Sequence, residues 1–339
     1  MIHTFYSILY VRQNPLDASR IGGGASLWRT AVMALALLAL SVKSARAQTA
    51  SKPHHRRPPV AKPVALPANL TIPHYAPGDI PFSDGEVLTY EATWMDIPAA
   101  QARVSIHHQR RNPALWSGEM WITSSKPVDL IYRMRDYIRE DFQRQSLAPR
   151  GMYIVQHEKH RFDVWHDSFD QRTHVVVSSE RDTRGRIKTR EFIGGQPWGP
   201  FSGTLMALSQ PLNVGDKLTF DVFSGGNRYV FRFNVKTRER ITTTLGTFDT
   251  LRIEPSVVWL SNGKFRSQAR QTTVWVTTKG HVPVRIDAQV IFGNVQADLI
   301  NISGAPPPAG ASTPVEVSAR KSTVADPPSS ASWLAGILP

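Results

Sequence analysis

The densest run of reactive side chains in the sequence is His157, Glu158, His160, Asp163, His166 and Asp167. Imidazoles beside carboxylates could hold a metal ion or run acid–base hydrolysis. A zinc-protease helix, however, needs its two histidines four residues apart so that both project from one face. His157 and His160 are three apart. On a strand an odd separation sends them to opposite sides, and His160 and His166 would share a face that excludes Asp163. The run therefore reads as a charge-mixed surface hairpin. His54 with His55 falls in a tether, and His107 with His108 at a strand end.

Carboxylate pairs are judged by the same geometry. Glycoside hydrolysis needs two carboxyls flanking one bond. Glu140 and Asp141 are strand neighbours and face opposite ways, whereas Glu180 and Asp182 adjoin Arg181, Arg184 and Arg186 beside a turn, where surface salt bridges account for them. The sequence contains neither a Gly-x-Ser-x-Gly elbow nor a Walker-type phosphate loop. No catalytic residue, metal ligand or cofactor is assigned, and the balance favours a non-enzymatic protein. The alternative, a hydrolase of an envelope polymer, requires His157, His160 or His166 to meet a carboxylate in a cleft.

Aromatic residues point to binding instead. Trp94 lies on an apolar stripe and belongs to a core. The segment from Gly194 to Phe201 is rich in Gly and Pro, and its loop composition makes Trp198 and Phe201 a candidate ligand or partner loop.

The elements that must position these residues are strands. Leu88, Tyr90, Ala92 and Trp94 alternate with polar residues, and so do Ala102 to Ile106, Leu218 to Val222, Tyr229 to Val235, Val284 to Val290 and Val295 to Leu299. Ser224 to Asn227 reads as a tight hairpin turn, as do Phe292 to Asn294, Asp182 to Gly185 and Leu245 to Thr247. One helix is expected, Gly203 to Leu208, capped by Ser202 and ended by Pro211. The fold class is mainly β: antiparallel strands forming a barrel or sandwich with at most one or two short helices.

At the N-terminus, Arg29 precedes a 13-residue run from Thr30 to Val42, too short for the ~20 residues that span a bilayer, and Ala45 and Ala47 stand at signal-peptidase positions. Residues 1–47 read as a signal peptide cleaved after Ala47, which predicts a periplasmic or otherwise exported chain with no transmembrane helix once mature. Residues 48–81 form a Pro-rich basic tether, 82–303 a β-rich domain, and 304–339 a Pro/Ala/Ser-rich tail ending in the apolar Trp333, Leu334, Ile337 and Leu338. With 0 Cys there is no disulfide, thiolate site or lipid-modified cysteine. The net charge of +13 includes four basic and no acidic residues in 48–67. Basic residues are not interleaved with stacking aromatics, so nucleic acid is not an expected partner. The expected partners are an envelope lipid, glycan or protein, with peripheral contact to an anionic membrane surface through the basic tether.

Phe82, Gly85, Glu86, Leu88, Tyr90, Trp94, Ile97, Pro98 and Ala99 open a pattern that resumes at Val128, Ile131, Tyr132 and Asp136. It continues through Pro211, Leu212, Gly215, Leu245 to Phe248, Ile253 and Pro255, and closes with Trp275, Pro283, Val284, Phe292, Gly293 and Leu299. In these positions the chain resembles the bacterial exported family known as domain of unknown function 3108. The resemblance implies a β-rich exported domain and supplies no catalytic residues.

Overall fold

A computed structural model describes residues 70–193, 195–261, 264–267, 271–289 and 293–311. The leader, the basic stretch 48–67 with His54 and His55, Val290, Phe292 and the apolar tail residues from Trp333 lie outside them.

The described chain is one antiparallel 15-stranded sheet with two short helices. Its first half holds β1 (Glu86–Trp94), β2 (Ile97–Gln109), β3 (Asn112–Ser124), helix α1 (Lys126–Tyr132), β4 (Met134–Gln143), β5 (Pro149–Glu158), β6 (Arg161–Asp170), β7 (Val175–Arg181) and β8 (Ile187–Ile193). Helix α2 (Pro200–Ser209) leads into the second half: β9 (Lys217–Ser224), β10 (Asn227–Thr243), β11 (Gly246–Ser261), β12 (Lys264–Ser267), β13 (Thr272–Thr277), β14 (Pro283–Gln289) and β15 (Asn294–Ser303). The strands lie in the order β8-β7-β6-β5-β4-β3-β2-β1-β15-β14-β13-β11-β10-β9, with β12 paired to β11. Pairing of β1 with β15 joins the two halves.

The alternating segments become strands as expected. Tyr90 and Ala92 of β1, Phe231, Phe233 and Val235 of β10, and Val295, Ala297 and Leu299 of β15 bury one face of the sheet. The β9–β10 turn places Gly225 at φ 55° and Gly226 at φ 70°, a left-handed pair that glycine adopts without a Cβ penalty.

The sheet curls until its far edge meets its near one. The β9–β10 turn reaches the inner face of β6 through Gly225 N–H donating to Asp167 at 2.9 Å, and Arg190 of β8 donates to the Gly226 carbonyl at 2.8 Å. Phe192 and Phe223 meet edge to face at 5.6 Å. Ahead of α2 the backbone of Trp198 runs parallel to β9, accepting from Phe223 N–H at 2.8 Å and donating to the Asp221 carbonyl at 3.0 Å.

Helix α2 fills the concave side. All of its residues except Thr204 are buried, against the single stripe of an ordinary surface helix. It starts at Pro200, three residues before the expected Gly203, because Pro at the first turn is pre-set for helix and lacks only an amide hydrogen that would be orphaned there.

Packing also extends beyond the expected domain limits of 82 and 303. The Tyr75 ring stacks on Phe220 at 4.6 Å and its hydroxyl accepts from Thr219 N–H at 2.9 Å, while Thr247 N–H donates to the Gly310 carbonyl at 3.1 Å.

Gly118 of β3 sets how closely α2 can approach, since a Cβ there would sit 2.7 Å from the buried Phe201 ring. At Gly151 of β5 a Cβ would make only ordinary contact at 3.7 Å. Gly118→Ala should therefore destabilise the fold by about 1–3 kcal/mol through overpacking, and Gly151→Ala should leave it within about 0.5 kcal/mol. Urea unfolding of the two variants checks this, with equal midpoints as the contradicting result.

Candidate functional site

The polar residues that the fold collects lie on the inner face of β4–β8. Cross-strand register puts Glu140, Met152, Asp167, Ser178 and Arg190 in one row, a residue from each strand. This row holds both elements that enter the concave side.

Glu140 is fully buried, at 0% exposure. Its carboxylate accepts from Phe201 N–H at 2.8 Å and Ser202 N–H at 3.1 Å, the first-turn amides that an N-cap side chain ordinarily satisfies. The N-cap residue is Gly199, which has no side chain to offer, and a Cβ there would overlap the Glu140 carboxyl. Glycine at 199 is thus required by the carboxylate, with an ordinary φ of −84°. Ser202 completes the cap by accepting from Gly199 N–H at 3.0 Å. Burial pushes the Glu140 carboxyl up to about 7, against the lowering pull of the hydrogen bonds from Ser202 and Phe201.

Asp167 does for the hairpin what Glu140 does for the helix. It accepts from Gly225 N–H and from the Ser178 hydroxyl, and burial pushes it up to about 6, opposed by those bonds and by Arg190. Behind the turn, Asp221 and Arg228 form a buried bidentate ion pair at 2.8 and 2.6 Å.

A second row, Asp136, Gln156 and Asp163, crosses β4–β6 nearer the strand ends. Asp136 accepts from His157 N–H at 3.0 Å, Asp163 accepts from Thr183 N–H at 3.0 Å and pairs with Arg161, and Glu158 accepts from the Tyr132 hydroxyl at 2.7 Å. These inward carboxylates hold backbone or neighbouring side chains in place.

The histidines are not brought together with them. His157 is half-buried with its ring edge-on to Phe162 at 5.6 Å, and burial, reinforced by Arg133 and Arg135, lowers its pKa. His160 is exposed in the β5–β6 turn. His166 is exposed on β6 opposite Tyr153, while Asp163 and Asp167 of the same strand are buried on the other face. Among the described residues no three His, Asp or Glu side chains are grouped to hold a metal ion. His108 meets Asp84 at 2.6 Å on the surface, and His107 lies 3.8 Å from Glu119. Asp141 faces away from Glu140 and pairs with Arg139 at 2.9 Å; Asp182 pairs with Arg186 at 2.5 Å, and Glu180 lies 3.9 Å from Arg190.

Trp198 and Phe201, expected in an exposed loop, are in the core at 1% and 3% exposure. Bridging to β9 draws Trp198 inward against Phe220 at 6.5 Å, and the early helix start carries Phe201 onto Gly118. Neither side chain is offered to solvent. Reading the sequence missed Glu140 as a cap and Asp167 as an anchor, because each partner is some sixty residues away. Pro200 is the local sign of the true helix start, three residues ahead of the start read from Ser202.

Residues 89–300 match the family model described as protein of unknown function DUF3108. No curated protein matches the chain. Among solved structures, the β-barrel-like DUF1849 protein of Brucella abortus aligns with TM-score 0.46 and 6% identity over 65% of this chain and 97% of that one. A chain provisionally described as an exported protein with a YmcC-like fold, from Bacteroides fragilis, aligns with TM-score 0.26 and 12% identity over 67% and 98%. Another, provisionally described as a lipoprotein of Parabacteroides distasonis, gives TM-score 0.29 and 13% identity over 68% and 100%.

The buried carboxyls generate a pH dependence of defined sign. Folded values of about 7 for Glu140 and about 6 for Asp167 lie above their ordinary 4.5 and 3.8, so the folded state binds the extra protons. Their stabilising contribution is full below pH ~4 and is lost as pH rises through 6 to 7. Glu140→Gln removes its share: the wild-type stability advantage over the variant should shrink by on the order of 3 kcal/mol from pH 4.5 to 8. Urea unfolding at the two pH values checks this, and a pH-independent difference would contradict it.

Proposed function

The chain belongs to the DUF3108 family, and from that premise we propose that it is an exported, non-enzymatic module of the bacterial cell envelope that works by binding or assembly through its outer surface. Export is supported by Arg29, the apolar run Thr30–Val42, and Ala45 and Ala47. The observation that carries the rest is the occupied concave side. Helix α2 and the β9–β10 turn fill the space where a barrel would otherwise hold a ligand, anchored by Glu140 and Asp167.

The disposition of reactive groups favours the same reading. General acid–base chemistry needs an imidazole and a carboxylate to converge on one reacting atom. On β6, His166 faces solvent while Asp163 and Asp167 face inward, so the sheet itself separates them. The ligand class follows from the surroundings of an exported basic chain: an envelope lipid, glycan or protein, with residues 48–67 supplying electrostatic attraction to anionic partners.

The mature chain incubated with isolated envelope glycans and lipids should release no new product by mass spectrometry, while cross-linking in cells should capture a discrete envelope adduct. The combined substitution His157→Ala, His160→Ala and His166→Ala should leave that adduct's yield within about twofold, as expected for surface changes of small effect. Turnover of an envelope polymer that disappears in this variant would overturn the proposal.

A further inference from the structure

Antiparallel pairing gathers several connections at one end of the sheet. Trp94 is registered with Ile97, Ala100 with Ser124, Met134 with Glu158, and Arg181 with Ile187, so the β1–β2 tip, helix α1, the β5–β6 turn and the β7–β8 turn share a rim. Hydrogen bonds stitch it together. Ser125 donates to the carbonyls of Ala99 at 2.8 Å and Pro98 at 2.7 Å, Lys159 N–H to that of Arg133 at 2.7 Å, and Phe162 N–H to the Thr183 hydroxyl at 2.8 Å.

Eight large apolar side chains are exposed among the described residues, and five of them stand on this rim: Met95, Ile97, Leu130, Ile131 and Ile187. Helix α1 turns Val128 and Tyr132 inward and leaves Leu130 outside at 89% exposure. Exposed single hydrophobes are ordinary, but a majority gathered on one rim is not. Exposed cations lie among them: Lys126, Arg133, Lys159, Arg181, Arg184 and Lys188, none within ion-pair distance of a carboxylate among the described residues. The rim's Asp129 and Asp182 are taken by Arg135 and Arg186, and Asp96 is its remaining exposed acid. The opposite rim carries exposed cations too, Arg110 and Arg111 among them, so the distinguishing feature is apolar groups set within positive charge.

We infer that this rim docks on an anionic phospholipid bilayer, its apolar side chains entering the head-group boundary and its unpaired cations lying against lipid phosphates. The charge complementarity selects lipid over a second copy of the chain, whose identical rim would oppose positive charge with positive charge. The inference rests on the reading of the chain as an envelope binding module and names the partner of one of its faces.

The test is co-sedimentation of the full mature chain, basic arm included, with phosphatidylglycerol–phosphatidylcholine vesicles and with phosphatidylcholine alone. Binding should require phosphatidylglycerol and weaken with salt. The pair Leu130→Ser with Ile131→Ser, and the set Lys126→Gln, Arg184→Gln and Lys188→Gln, should each weaken it by about tenfold or more. Arg110→Gln with Arg111→Gln should change it by less than about threefold. All these positions are exposed, and unchanged thermal melting verifies folding. The absence of cysteine allows a single environment-sensitive dye on Leu130→Cys, whose emission should shift to the blue on anionic vesicles while a dye on Arg111→Cys does not. Wild-type binding by the rim variants would assign attraction to the basic arm and overturn the inference, as would no vesicle binding or a dimer that buries Leu130. Loss of vesicle binding with retained cross-linking to a protein or glycan defeats this docking alone, whereas polymer turnover defeats the binding-module reading and leaves vesicle binding measurable.

Discussion

A carboxylate from one strand closes the open end of a helix that has nothing of its own to cap it. Glu140 stands where the side chain of Gly199 would be, satisfying the amides of Phe201 and Ser202, and the whole concave side is organised around that substitution. A local Ser or Asp cap would fix the helix without fixing its place in the fold. A cap reaching across from β4 does both at once, because the helix start is satisfied only when docked. Burial of the carboxyl is costly without those donors, so sheet and helix are mutually dependent.

The same logic repeats two strands further along the row, where Asp167 receives the β9–β10 turn. Two polar anchors fix the position of the inserted elements, and Trp198, Phe201, Met206, Phe220 and Phe223 are buried with them. Hydrophobic contact is non-directional, and hydrogen-bonded carboxylates choose one arrangement among many of similar burial. With the inside so occupied, the proposed binding role falls, among the described residues, to the sheet's outer face and its rims.

How much of this was legible in the sequence depended on where polarity sits. Strands β1, β9, β10, β14 and β15 carry apolar residues on the buried face and were readable from alternation. Strands β4, β5 and β6 bury Asp136, Glu140, Gln156, Glu158, Asp163 and Asp167 on that same face, so alternation of hydrophobicity fails where the sheet is most functional in holding the fold. Helix α1 is only seven residues long, below the length at which a period of 3.6 can be distinguished. The Gly and Pro content around Trp198 correctly marked a break in the strands, but composition alone does not say whether a break faces water or the core. Strand parity separated His166 from Asp163, as the structure has it, but it misplaced His157, which shares the outer face with His166, and His160, which lies in the β5–β6 turn rather than on a strand. The apolar rim was not legible, since Met95, Leu130 and Ile187 come to share one end of the sheet only after strands β1 to β8 have been laid in order.

Hydrogen exchange of the mature chain tests the cross-strand cap most directly. The amides of Phe201, Ser202 and Gly225 should be protected to the same degree as those of central strands such as β10, because helix and turn open only when the sheet does. Exchange of these three amides orders of magnitude faster than β10, with the sheet still protected, would mean that α2 is not held by Glu140 and that the concave side is open to solvent.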